Sequence, residues 1–196
     1  LNHFLTEAAV AAATFRSTIP SVASPAIRIA VVSNNATVDP RTFDLHIVPR
    51  DDLMFPGDPC PYGRAACKPQ ARPRQWATRL YYLAHSPFEL TWALDSNVAC
   101  CNPARAAAFL SRAYDKHLWG FDIATANQGQ GGLYPHNWNI LYRWNRRTSN
   151  LLRDWLLLQF RRGIATDDQG TLLAAMQRQR VAGGLNIGQM PTPFAA

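Results

Sequence analysis

Lysine is nearly absent from this chain. Of its 20 basic residues only Lys68 and Lys116 are lysines, and the rest are arginines. These arginines are spread along 196 residues without a cluster of five to eight, so the basic patch of a nucleic-acid-binding domain is missing and no nucleic acid partner is expected. A net charge of +7 carried by arginine still suits phosphate oxygens, because the guanidinium fork matches them in geometry. Long apolar runs are lacking too. The most apolar window, residues 151–160, is interrupted by Arg153, Asp154 and Gln159, short of the roughly 20 apolar residues a membrane helix needs. The Ala-rich start contains Glu7 and lacks the basic opening of a secretory leader, so a membrane anchor is expected only on sequence upstream of Leu1.

The four cysteines, Cys60, Cys67, Cys100 and Cys101, include no C-x-x-C pair, which excludes the usual zinc spacing. Cys60 and Cys67 bracket a Pro/Gly-containing loop that a disulfide would staple in an oxidising compartment, and free buried thiols fit the same spacing equally well. The Gly-rich stretch 128–132 lacks the G-x-x-x-x-G-K-[ST] pattern of a phosphate loop. No Ser-His-Asp order or Cys-His pair assembles into a hydrolase site.

With 47% hydrophobic residues over this length, the chain has material for one core, and residues 1–196 read as a single domain. Helical patterns at 3–16, 74–84, 102–116, 150–162 and 169–180 alternate with strand patterns at 26–32, 43–48, 89–94, 118–126 and 140–144. Such alternation predicts an α/β fold with a mostly parallel sheet between helices. Asn102-Pro103 is a cap followed by proline at the first helical position, Thr148 or Ser149 is expected to cap the next helix, and Gly163 to end it. The Pro-rich segment 55–75 reads as one long loop.

At the end of the 89–94 strand stand Asp95, Ser96 and Asn97. In extended backbone Asp95 and Asn97 share a face. The tripeptide reads two ways: as a strand-ending turn, since all three residues favour turns, or as a pair of hard oxygen donors for Mn²⁺ or Mg²⁺ carrying a diphosphate. Asp167 and Asp168 precede the last helix, where acidic residues serve as caps on their own account. His136 is a lone histidine, and Trp138 and Trp144 fit either a core or a sugar-stacking role.

Three blocks in order sharpen this picture. Trp76, Arg79, Leu83, Ser86-Pro87-Phe88 and Thr91 to Val98 resemble the central segment of GT-A type glycosyltransferases, the nucleotide-diphospho-sugar transferases, where a helix with a basic residue leads through "SPF" into a strand ending "LDSD". Residues 135–145 resemble the family's "N-x-G-V-hydrophobic-x-x-R" strand, and Asp167-Asp168-Gln169-Gly170-Thr171-Leu172 resembles its "DDQ-x-x-L" helix start. The resemblance covers roughly residues 74–176. It implies a three-layer α/β/α fold with a mostly parallel central sheet and transfer of a hexose from a nucleoside-diphosphate sugar to a glycan, protein or lipid hydroxyl, in the secretory-pathway lumen, Golgi or ER. Asp95 and Asn97 would hold Mn²⁺ or Mg²⁺, Arg79 would lie near the diphosphate, Asn137 and Gln169 would face sugar or acceptor, and Asp168 would bind a sugar hydroxyl or act as catalytic base.

The departures are specific. Asn97 stands where the family has a second Asp, Trp138 and Asn139 replace a small residue and Gly, Arg79 replaces Lys, and the family's opening strand is missing, as in a fragment of a longer protein. Asn97, the missing opening strand and the absence of a late metal-binding His favour the alternative of a non-catalytic sugar- or nucleotide-binding relative with a degenerate site. An Asn carbonyl ligates a hard cation without adding Coulomb attraction. Asn97→Asp is therefore expected to tighten Mn²⁺ binding in the presence of a nucleoside diphosphate while slightly destabilising the metal-free protein, because two close carboxylates repel. Calorimetric titration of both proteins tests this, and unchanged or weaker affinity would show that the two positions share no metal.

Overall fold

A computed structural model describes residues 2–18, 27–33, 37–49, 79–96, 98, 102–115, 119–127, 135–161 and 168–190. The α/β class holds, with helices and strands interspersed along the chain. The chain divides into two compact units, each described by itself.

The first unit contains α1 (Asn2–Thr18), β1 (Ala30–Val32), β2 (Leu45–Ile47) and, after a helix and a strand of the other unit, α3 (Pro103–Tyr114). Its strands pair in parallel, Ala30 beside Leu45 and Val32 beside Ile47. Helix α1 packs on α3, and small buried residues, Ala12 on one and Ala106 and Ala113 on the other, keep both helices slim where they bury. The start of α3 follows its local signal: the Asn102 side chain accepts from the Arg105 amide at 3.1 Å, and Pro103 needs no donor partner. Asp44 joins three segments. Its Oδ2 accepts from the Ile29 amide at 2.7 Å and pairs with Arg16 Nη2 at 2.8 Å, and the Ile29 amide, then Arg16, hold its carboxyl below the usual carboxylate range.

The second unit contains α2 (described over 79–84), β3 (Leu90–Leu94, as far as Ala93), β4 (Ile123–Asn127), β5 (Pro135–Arg143), α4 (Arg146–Arg161), α5 (Asp168–Gly183) and β6 (Ile187–Gln189). Four strands form one sheet in the order β3-β5-β4-β6. Residues 26–32, 43–48 and 89–94 are expected in one sheet, and among the described residues they occupy two: β1 and β2 pair with each other, whereas β3 lies beside β5. A β-branched apolar run specifies extended backbone and a buried face, not which strand it will pair with. The larger sheet is mixed rather than mostly parallel, since β4 runs antiparallel to β5 and parallel to β6. Only the short stretch 128–134 separates β4 from β5, a length suited to antiparallel neighbours, while β6 returns after two helices.

The core follows from helical spacing. Leu151, Leu152, Trp155 and Leu158 form one stripe of α4, and Leu172, Ala175 and Met176 one of α5. With Leu80 and Leu83 of α2, Ile123, Ile140 and Tyr142 of the sheet, and Leu185, they make one buried cluster. Each buried Leu or Ile there contributes about 1.5–3 kcal/mol. Trp155 Nε1 donates to the Asp168 carbonyl at 2.9 Å and lies 3.2 Å from Thr171 Oγ1, and the Thr171 hydroxyl reaches Gln159 Oε1 at 2.6 Å, so hydrogen bonds as well as apolar contacts join α4 to α5. Gly184 ends α5 with φ +63°, a left-handed position suited to glycine. On β6, Gly188 leaves room for the Phe121 ring, whose Cδ2 would sit 2.5 Å from a Cβ there.

Helix α4 starts at Arg146, a turn earlier than its expected first residue, Asn150. The cap is Asn145, whose Oδ1 accepts from the amides of Arg147 at 2.8 Å and Thr148 at 3.0 Å. Thr148 Oγ1 in return accepts from the Asn145 amide at 3.0 Å, a reciprocal capping box. Asn145 also donates through Nδ2 to Asp122 Oδ1 at 2.8 Å. Asp122 Oδ2 accepts from the Asn186 amide at 2.9 Å and from Arg147 Nη1 at 3.2 Å. Asp122→Ala strands a main-chain amide and an amide side chain, and is expected to cost about 3 kcal/mol in urea unfolding. Arg147→Ala removes only a half-exposed partner and is expected to cost under about 1 kcal/mol. Equal losses would show that the ion pair, rather than the hydrogen bonds, carries the junction.

Candidate functional site

Asp95 follows β3 directly and is half-buried. The Val98 amide donates to its carbonyl at 3.1 Å, closing the four-residue turn that this sequence favours. Asn97 lies outside the described residues, as do Asp167 and all four cysteines with the loop 55–75. Asp95 is therefore the one member of the expected metal pair whose surroundings are described. Among the described residues no three His, Cys, Asp or Glu side chains gather into a metal cluster.

The structure brings Arg79 and Asn137 together. Arg79 Nη2 donates to the Asn137 carbonyl at 2.6 Å, joining α2 to β5. The resembling residues around them are also structurally engaged. Ser86 Oγ accepts from the Phe88 amide at 3.3 Å and shares a hydrogen bond with Thr91 Oγ1 at 2.6 Å, so the Ser-Pro-Phe turn is fastened to the strand it introduces. The buried Tyr142 hydroxyl donates to the Leu83 carbonyl at 2.5 Å, and burial raises its pKa above the usual phenol value, against the lowering effect of Thr91 and Ser86. Asn139 accepts from Trp92 Nε1 at 2.7 Å while 1% exposed. Arg143 pairs with Glu89 at 3.0 Å. Asp168 opens α5 as expected and is 4% exposed, its carbonyl held by Trp155 and Thr171, and Gln169 beside it is half-buried.

One feature escapes the sequence reading. Thr125 is paired with Ile140 and Asn127 with Pro135, so a single β4 residue, Ala126, faces four of β5: His136, Asn137, Trp138 and Asn139. This wide irregularity holds Asn137 and the buried His136, and bulges of this kind re-aim side chains beside binding sites. Thr125, the last regular rung before it, is 1% exposed, and its hydroxyl has no hydrogen-bond partner among the described residues. Leaving a hydroxyl so costs about 1–3 kcal/mol. The sequence carries one faint signal of it, a polar residue between Ile123-Ala124 and Ala126 in an otherwise apolar stretch of the strand.

No family profile matches this chain, and no curated protein and no solved structure is significantly similar to it.

Burial lowers the pKa of His136 below its ordinary 6.5, because a desolvated imidazolium is disfavoured. The unfolded chain takes up a proton near pH 6.5 that the folded chain refuses, so His136 is expected to lower stability as the pH falls from 6.5 toward its depressed folded value, with no loss above that window. Urea midpoints between pH 5 and 7.5 should show a slope that flattens in His136→Gln. Identical slopes in the two proteins would place His136 in contact with water.

Proposed function

We propose that this chain is a GT-A-type glycosyltransferase domain, a three-layer α/β/α unit that moves a hexose from a nucleoside-diphosphate sugar to the hydroxyl of a glycan, protein or lipid in the Golgi or ER lumen. The observation that carries the reading is that the three resembling blocks, far apart in sequence, contribute to one core and one hydrogen-bonded frame. Leu80 and Leu83 of the first, Ile140 and Tyr142 of the second and Leu172 of the third share a buried cluster, and Arg79–Asn137 and Trp92–Asn139 tie the first block to the second.

In this reading Asp95, with Asn97, holds Mn²⁺ or Mg²⁺. Such a cation takes one or two protein oxygens and completes its shell from phosphate and water. When bound it stabilises negative charge on the departing diphosphate. Arg79 holds the Asn137 main chain in place and is the basic residue this reading assigns to the diphosphate. Asn137 and Gln169 offer amide donors and acceptors to sugar or acceptor hydroxyls. Asp168, fixed at its carbonyl by Trp155, orients the acceptor hydroxyl or takes its proton. The alternative, a sugar- or nucleotide-binding relative without turnover, is favoured by Asn97, which removes one carboxylate from the metal pair.

Uridine or guanosine diphosphate with Mn²⁺ is expected to raise the melting temperature. At a hundred times its Kd a ligand adds about 2.7 kcal/mol, about 5–10 °C for a chain of this length. Asp95→Asn should lose most of that shift with little change in the unliganded protein. A wild-type protein that neither nucleotide stabilises would sink the transferase reading and leave only a sugar-binding relative, and nucleotide binding without sugar transfer would select the degenerate one.

A further inference from the structure

We infer that the irregular β4–β5 junction is a binding site for an uncharged hexose, taken by the Thr125 hydroxyl and the His136 imidazole. The inference rests on the reading above for the class of ligand, and on the sheet itself for the place. Between the Thr125–Ile140 and Asn127–Pro135 rungs four residues of β5 oppose one of β4, so His136 and Asn137 leave the regular ladder together. Arg79 fixes the new course of the main chain by its bond to the Asn137 carbonyl, and Trp92 holds the far end at Asn139. Thr125 then stands at the edge of the irregularity with a buried hydroxyl that no described residue satisfies. Native proteins seldom leave such a group unless something else fills the need.

The chemistry of the two side chains selects the ligand. A threonine hydroxyl both donates and accepts. So does a neutral imidazole, which is the form burial favours for His136. Neutral groups of both kinds, set in a desolvated place, match the hydroxyls of a sugar ring and disfavour an unpaired charge. The hexose can arrive on the donor nucleotide or on the acceptor, and the two sources are separable by experiment.

Calorimetric titration would compare wild type, Thr125→Val, Thr125→Ser and His136→Gln. The probes are UDP, UDP-glucose, GDP and GDP-mannose, each with Mn²⁺, and free glucose and mannose. In wild type at least one sugar nucleotide should bind more tightly than its nucleotide alone, or a free hexose should bind. Thr125→Val should reduce that hexose-dependent affinity about tenfold, the worth of one hydrogen bond of this kind, and leave the affinity for nucleotide alone unchanged. Its unliganded melting temperature should be equal to or above that of wild type, because the substitution removes a buried hydroxyl without removing a partner. Thr125→Ser, which keeps the hydroxyl, should bind like wild type, and His136→Gln should weaken the hexose increment.

An undiminished hexose increment in Thr125→Val, or a lowered melting temperature, would overturn the site and show that the hydroxyl serves the fold or a buried water. Nucleotide binding with no hexose increment in wild type would overturn this site and leave the transferase reading standing. Hexose binding without nucleotide binding would do the reverse, and a protein that binds neither would refute both.

Discussion

The carboxylate of Asp122 is the constraint on which the larger sheet depends. Its residue is 8% exposed, and its two oxygens receive the Asn145 side chain, the Asn186 amide and Arg147. Its own amide donates to the Asn186 carbonyl at 2.9 Å, and its carbonyl accepts from Arg143 at 3.0 Å. One residue thus fixes the start of β4, the end of β5, the cap of α4 and the entry to β6. A buried carboxylate is costly unless its lone pairs are occupied. Here main-chain and amide donors occupy them, so the charge is anchored by geometry that only this arrangement of strands supplies.

The opposite side of the sheet is held by polar bonds of a different type. Trp92 to Asn139, Glu89 to Arg143 and Tyr142 to the Leu83 carbonyl each cross from β5 to β3, to the residue before it or to α2. Hydrophobic contact would accept β3 in several positions along β5, whereas a half-buried indole N–H facing a buried amide accepts one, since a slip strands both groups. Asn139 provides the acceptor that Trp92 needs, and the two are intelligible as a pair.

Local signals in the sequence were legible and tertiary ones were not. Asn102-Pro103 announces α3 because a cap acts within its own turn, and α4 and α5 are read correctly as helices because the signals that mark a helix lie within it and at its ends. The start of α4 is misread because Thr148 is a member of the capping box, not its first residue, and Asn145 takes the cap by also serving Asp122. Strand β6 is too short to show a period and exists through β4. Which strands share a sheet depends on partners distant in sequence, so the division of β1 and β2 from β3 has no local mark. In the candidate site the types and order of the residues were legible, and the contact between Arg79 and Asn137 and the irregularity around His136 were not.

Resemblance and chemistry separate along the same line. Arg79, Ser86, Asn139 and Arg143 all carry the likeness or stand within it, and each has a structural partner that explains its presence: the Asn137 carbonyl, Thr91, Trp92 and Glu89. Those positions are therefore evidence first for how the chain folds. Thr125 is the converse. It belongs to no resembling motif, costs stability where it stands, and is explained by no contact of the described fold. A residue that a fold tolerates at a cost points to function more directly than one the fold requires. The chemistry of this protein is for that reason better sought where β4 meets the displaced segment of β5 than along the motifs that make the chain look familiar.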